Sequence, residues 1–344
     1  MRSEYPALPL PREGKQAIIP ALVCAGICVA LMRAGFFSFF FLVPLGICVI
    51  FFGPYAAWLG SVCASVANGV WSAGFFLRYG GLNNSGIDAL YFAVFALGFT
   101  WLMAGPPVPA IPPMRTIFRF MAASAAGALV FLAMIFSLGN DESFSMLLRS
   151  RIEAISSSFI GASGSDAAQM AYMERLLTPD AIIKIFSMII LRGGALVSAV
   201  FLLFFSRQTV FVLARLFRRQ AGNVGTDLAG FYVPRTTIWV LSLSLPVVLL
   251  CRIASLEIIE IAAWNLLVMC AIMFLAQGCG IVLFAFTRKP MPAIMRLVLG
   301  MLMIFIIFSP GVNVVAMGIL IVMGIAENWI PLRKMVNKSI DNNE

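Results

Sequence analysis

IAAWNLLVMCAIMFLAQGCGIVLFAFT, residues 261 to 287, runs 27 residues without a charge. As a helix rising 1.5 Å per residue it extends about 40 Å, longer than the roughly 30 Å hydrocarbon core of a bilayer. The pattern recurs outward from it. No charge lies between Arg33 and Arg78, between Asp88 and Arg115, or between Arg296 and Glu327. Of the 344 residues 61% are hydrophobic and only 11% charged, whereas a water-soluble chain carries about 25% charge. Lipid must therefore face most of this surface. The runs are continuously apolar and do not alternate as barrel strands do, so the expected class is all-α, a polytopic transmembrane helical bundle.

The spans are read as about ten helices, in a range of eight to ten: 17–33, 35–52, 55–77, 87–105, 116–138, 182–206, 235–251, 257–287, 294–308 and 312–329. Gly53-Pro54 divides the second from the third, because proline lacks a backbone donor and marks helix starts and kinks. PPVPAIPP at 106–113 reads as a rigid extended connector. Ser309-Pro310-Gly311 makes the last apolar run either a tight hairpin or one kinked helix. The start, MRSEYPALPLPREGK, is polar and basic, and the segment from Ala17 onward reads as a retained helix with no cleavage site after it.

Cations set the expected orientation. Arg207, Arg215, Arg218, Arg219 and Arg235 crowd the 207–235 connector. Arg288, Lys289 and Arg296 follow, and Arg115 and Arg119 flank the fifth helix. All fall on one side of the ten-helix scheme, which the positive-inside rule makes cytoplasmic, together with both termini. The opposite side receives the acidic stretch 139–181. The organisation expected is one domain: a cytoplasmic tail at 1–16, N-terminal spans at 17–138, and an extracytoplasmic amphipathic loop at 139–181. C-terminal spans follow at 182–330, with a cytoplasmic amphipathic loop at 207–235, and then a cytoplasmic tail at 331–344. In 144–159 apolar residues recur at helical spacing opposite Arg149, Arg151 and Glu153, which suits a helix on the outer leaflet. In 207–220 they oppose Arg215, Arg218 and Arg219, which suits the anionic inner leaflet. At the end of the chain, GIAENWIPLRK (324–334) reads as a membrane exit. Trp329 is the interfacial aromatic, Pro331 helps end the helix, Arg333 and Lys334 form the basic flank, and Glu327 lies within reach of Arg333.

Function classes narrow by absence. There is no histidine, which removes the commonest general base and metal ligand, and no Walker A sequence, so ATP hydrolysis by this chain alone is not expected. No catalytic residue, metal or cofactor is predicted, and the chain is read as no enzyme. Cys24 and Cys28, one turn apart, suit packing better than a metal or a disulfide. The net charge of +9 gathers at segment ends, so no nucleic-acid partner is expected. The GASGSD stretch at 161–166 reads as a flexible loop. Polar groups inside spans usually face a cavity or a partner. On that ground Asn68, Trp71, Arg192, Asn265, Gln277 and Asn313 are the candidate solute-binding residues, each also open to the plainer reading of a bond to a neighbouring helix or, for Arg192, of snorkelling. Glu257 and Glu260 read as charges near a helix start. Ala21-x-x-x-Ala25 and Gly26-x-x-x-Ala30 give the first helix small residues suited to close packing, within the protein or against a partner helix.

Four ordered stretches, YMERLLTPDAIIKIF (172–186), GFYVPRTTIWVLSLSL (230–245), FLAQGCGIVLFAFTRKPMP (274–292) and GIAENWIPLRK, together resemble the YybS-like family of predicted bacterial membrane proteins. The chain departs from the family pattern at Glu327, where aspartate is usual, and at Pro331-Leu332. That family is distantly similar to the S components of energy-coupling-factor transporters, which VPLGICVIFFGPYAAWLGSVCASVANGVW (43–71) and the small-residue face of the first helix also resemble. The resemblance implies a solute-binding component in a bacterial cytoplasmic (inner) membrane, taking an unknown small solute and working with ATPase and coupling subunits. The alternative reading is a membrane scaffold in envelope growth or division.

Overall fold

The computed structural model describes residues 14–79, 82–105, 116–139, 142–162, 178–217, 230–288 and 311–335, with single positions 294, 295, 298, 301, 305 and 309. The connector at 106–113, most of the GASGSD stretch, the arginines at 218 and 219, most of the 294–308 segment and the outer parts of both tails lie outside the described residues. Every regular element among the described residues is helical. Among the described residues six helices are long and apolar enough to cross a membrane, and two shorter apolar ones lie at Phe37–Phe52 and Val312–Ala326. Large apolar side chains such as Val70, Phe136, Trp239 and Ile258 are exposed, as expected of a protein whose solvent is lipid.

Where one domain was expected, the chain forms two compact units, Met1–Ala221 and Gly222–Glu344. The division falls in the polar, glycine-bearing stretch RRQAGNVGTDLAG, residues 218–230.

In the first unit α1 (Gly14–Arg33) leads through a 3₁₀ segment (Gly35–Phe40) into α2 (Val43–Phe52). Gly53, at φ +93°, ends α2, and Pro54 opens α3 (Pro54–Tyr79) at the helix position that needs no donor. Gly60 lies against the Ala21 backbone and the Arg33 side chain reaches Asn68 and Ser72, so α1 and α3 run parallel with α2 as the return leg. α4 (Leu82–Ala104) and α5 (Thr116–Gly139) complete an antiparallel meander. It is pinned by Trp58 Nε1 donating to the Gly105 carbonyl at 3.2 Å and Arg119 donating to the Trp101 carbonyl at 3.1 Å. The core between α1, α2, α3 and α4 holds Phe41, Leu45, Cys48, Ala56, Phe92 and Phe99.

α6 (Glu142–Ala162) is the expected amphipathic helix; Met146, Leu147 and Ile155 are exposed along it. α7 (Pro179–Ile189) has a complete start: Thr178 accepts from the Ala181 amide, Pro179 sits in the first turn, and Asp180 faces the positive end of the helix dipole. Arg149 of α6 pairs with Asp180 at 2.9 Å. Both side chains are exposed, so the pair contributes at most about 1 kcal/mol. A kinked turn, Ile190–Gly194, with non-helical backbone at Arg192 and Gly193, then joins α7 to α8 (Ala195–Phe217). Gly193 takes φ +132° there, which only glycine adopts easily.

The amphipathic reading of 207–220 is corrected over its described part. Residues 207–217 continue α8, and Val210, Phe211 and Ala214 are buried in the unit rather than laid on a leaflet. Arg207 interrupts the apolar run without ending the helix. Its guanidinium rests 5.0 Å from the Phe211 ring centre, a cation–π contact that shields the charge.

The second unit contains α9 (Thr236–Ile253), α10 (Glu257–Arg288) and α11 (Val312–Ala326). Gly311, at φ +84°, caps α11, so the last apolar run breaks at this point. The run also ends earlier than expected. α11 stops at Ala326 and a turn covers Glu327–Trp329, so Pro331 follows the helix end and does not cause it. α10 and α11 meet backbone to backbone: a Cβ added at Gly278 would collide with the Leu320 carbonyl, and one at Gly324 with the Phe274 carbonyl.

Candidate functional site

Two polar groups are built inside this apolar frame, one in each unit. In the first, Arg33 ends α1, Asn68 and Ser72 lie one turn apart on α3, and Asp88 sits in the second turn of α4. Nη2 of Arg33 donates to Asn68 Oδ1 at 2.8 Å, to Ser72 Oγ at 2.9 Å and to Asp88 Oδ2 at 2.7 Å. The Ser72 hydroxyl donates to the same carboxylate oxygen at 3.2 Å. Asn68 is fully buried, yet its Nδ2 has no partner among the described residues. An unfilled buried donor costs about 1–3 kcal/mol. The Arg33 and Asp88 side chains remain 36% and 28% exposed, so the group opens on one side.

In the second unit the tight α10–α11 crossing presents Gln277 to the end of α11. Gln277 Nε2 donates to Glu327 Oε2 at 3.2 Å, and its Oε1 accepts from the Val233 amide at 2.8 Å. Arg333 pairs with Glu327 Oε1 at 3.5 Å and donates to the Phe231 carbonyl at 2.8 Å. The Glu327 and Arg333 side chains are only 4% and 15% exposed. These bonds bind the strap before α9, residues 231–233, to the interior of α10 and to the chain just past α11. Three of the four stretches that carry the family resemblance meet here, and the expected Glu327–Arg333 pair forms.

The other predicted residues stand apart. Trp71 points outward, 59% exposed, although Asn68 on the same helix is buried. Arg192 is half-buried in the kinked turn, where its own backbone leaves helical geometry. Asn265 donates to the Ile261 carbonyl of its own helix at 2.9 Å. Asn313 lies in the first turn of α11, half-buried. Of the small residues on α1, Ala21 and Ala25 are buried, whereas Gly26 and Ala30 are exposed, and nothing lies within 4 Å of a Cβ placed on Gly26. One pair packs inside and the other faces out. Glu260 is buried in the first turn of α10 and Glu257 is exposed. All seven cysteines are free thiols. An open groove of about 330 Å³ between α9 and α10 is lined by Val240, Leu243, Val247, Ile259, Ala262 and Leu266, among others. Its one hydroxyl, on Ser244, already donates to the Leu241 carbonyl, so it offers a polar solute no free side-chain donor.

Sequence reasoning missed Arg33 and Asp88, which read as boundary charges. The available signal was Ser72, one turn beyond Asn68 and so on the same face of α3.

Apolar helices with lipid-facing side chains and internal polar clusters define a multi-pass helical membrane protein. The chain belongs to the family described as predicted membrane protein (DUF2232), which matches residues 29–324. No curated protein and no solved structure matches it.

Proposed function

We propose that this chain is the solute-binding membrane component of a transporter, S-component-like and without an ATPase of its own. It works in a bacterial cytoplasmic membrane beside separate ATPase and coupling subunits. The observation that carries the reading is the unfilled amide of Asn68, buried beneath a half-exposed Arg33–Asp88 pair. This cluster leaves a donor at the foot of an open polar patch. In the expected orientation α1 begins inside, so Arg33 and its neighbours meet the extracytoplasmic side.

The test is extraction in mild detergent followed by mass spectrometry of co-purifying small molecules and proteins. A solute is expected with the parent chain and should be absent from Arg33→Ala and Asn68→Leu. Absence of any solute from the parent, or its full retention by both variants, overturns the reading.

A scaffold in envelope growth or division is the second reading. It is favoured by α6, which exposes Met146, Leu147 and Ile155 together with Arg149 and Arg151. Proximity labelling that returns envelope-synthesis proteins and no ATPase supports it over transport.

A further inference from the structure

The apolar stretch from Pro179 to Phe217 is longer than one crossing needs. Its 39 residues would reach about 58 Å as one straight helix, almost twice the roughly 30 Å of hydrocarbon. α8 alone, with 23 residues, reaches about 34 Å and crosses by itself. Arg192 and Gly193 leave helical geometry just before α8 begins, so α7 takes a direction of its own. None of its residues is buried, so α7 belongs to no bundle core. Residues 182–189, expected inside a span, are left at the membrane boundary where α8 starts.

The side-chain pattern fits that boundary. At about 100° per residue, Ile182, Ile185, Phe186 and Ile189 occupy one side of α7, and Asp180, Lys184 and Ser187 the opposite side. On α6, Leu148, Ile152 and Ile155 form a stripe turned away from Ser150 and Glu153. The Arg149–Asp180 pair joins the polar sides of the two helices. Both apolar stripes stay uncovered, with Leu148, Ile155, Ile185, Phe186 and Ile189 exposed, and an apolar surface of this kind marks a contact with lipid or protein. Lipid is within reach at both ends. α6 begins at Glu142, close behind the end of α5 at Gly139, and α7 runs into α8. The charges on the pair balance: Arg149, Arg151 and Lys184 stand against Glu142, Glu153 and Asp180. Attraction to a bilayer therefore rests on apolar area and not on anionic headgroups.

We infer that α6 and α7 form one interfacial paddle that lies in the lipid–water boundary. Its two apolar stripes touch phospholipid acyl chains, and its polar side, with Lys184 and Ser187, faces water. Arg151, at the edge of the α6 stripe, carries its cation up to the headgroups along an apolar stem. The kink before α8 is where the chain turns from lying on the bilayer to crossing it. In the expected orientation this is the outer leaflet.

The experiment uses the full chain in phosphatidylcholine nanodiscs. The photoreactive residue p-benzoyl-phenylalanine replaces Ile155, Phe186, Ser150 or Ser187 in turn, and mass spectrometry identifies what each one captures. The same residue in place of Val70, on the exposed face of α3, gives the yield of full lipid contact. Phospholipid adducts are expected at Ile155 and Phe186, roughly fivefold or more above those at Ser150 and Ser187. Exchanging a third of the lipid for phosphatidylglycerol should change these yields less than about twofold. In the unsubstituted chain, Lys184 should react with a membrane-impermeant amine reagent, as a residue inside a span would not. Should a variant fail to purify as a single species, Leu148 or Ile189 on the same stripe takes its place. Equal lipid yields on both sides, or none at Ile155 and Phe186, overturn the inference. So do adducts with a peptide of this chain or of a second copy in place of lipid, yields that depend on phosphatidylglycerol, or a Lys184 that resists the reagent.

Discussion

Each unit brings together an arginine, a carboxylate and a primary amide, but the two groups end in opposite states. In the second unit Gln277 spends both ends of its amide on protein partners, and Glu327 is held from two directions in a nearly dry site. In the first, Arg33 spends one nitrogen, Asp88 one oxygen, and Asn68 half its amide, at an opening to the surroundings. Residue type does not separate a lock from a binding site. Exposure does, since the second group also leaves Arg333 Nε without a partner among the described residues but keeps it buried.

The comparison breaks most easily at the glycine crossing. Gly278→Val drives a branched side chain into a backbone carbonyl that cannot rotate away, so overpacking of about 3 kcal/mol or more follows. The expected outcome is loss of a monodisperse peak on size exclusion in detergent. Glu327→Ala comes next. It strands Arg333 in a buried site, a change that typically costs about 3–5 kcal/mol. Unfolding should begin at clearly lower temperature, and Glu327→Ala with Arg333→Met should recover part of the loss. Arg33→Ala is expected to cost about 1–3 kcal/mol, because its ion pair is partly solvated but the buried Asn68 carbonyl loses its partner, while abolishing retention of the solute. If Arg33→Ala destabilised the fold as much as Glu327→Ala, the contrast between an open and a closed group would be gone. The smallest effect belongs to Gly26→Ala on the outward face of α1. It should shift stability by no more than about 0.5 kcal/mol, measured by the same thermal unfolding.

The long apolar runs were legible because a bilayer leaves few ways to satisfy a backbone, and uninterrupted helices are the commonest. The boundary of α8 was not, since an arginine read as a stop is tolerated when it can lie on Phe211. Gln277 was legible as a polar residue among apolar ones. Its role as a brace was not, because its partners Val233 and Glu327 lie 44 and 50 residues away in the chain. Trp71 was misplaced by proximity in sequence: it lies about 60° round the helix from Asn68 on the side away from Ser72, so the buried stripe of Asn68 and Ser72 ends before it and its ring turns outward. The Arg33–Asp88 pair needed knowledge that α1 and α3 run side by side in the same direction, which depends on the short return leg between them. The pairing of Glu327 with Arg333 was readable because only a turn separates them.

The bend at Ile190–Gly194 has a consequence for how this long apolar stretch tolerates change. Arg192 and Gly193 leave helical backbone angles there, so two rods meet at an elbow whose angle is set by one glycine. A side chain at position 193 would be strained at φ +132°. Straightening the elbow to relieve that strain would swing Phe186 and Ile189, now outward, relative to the inward stripe of Ala195, Ala199 and Leu203. One substitution at this point would thus re-aim a whole segment without altering any of its other side chains.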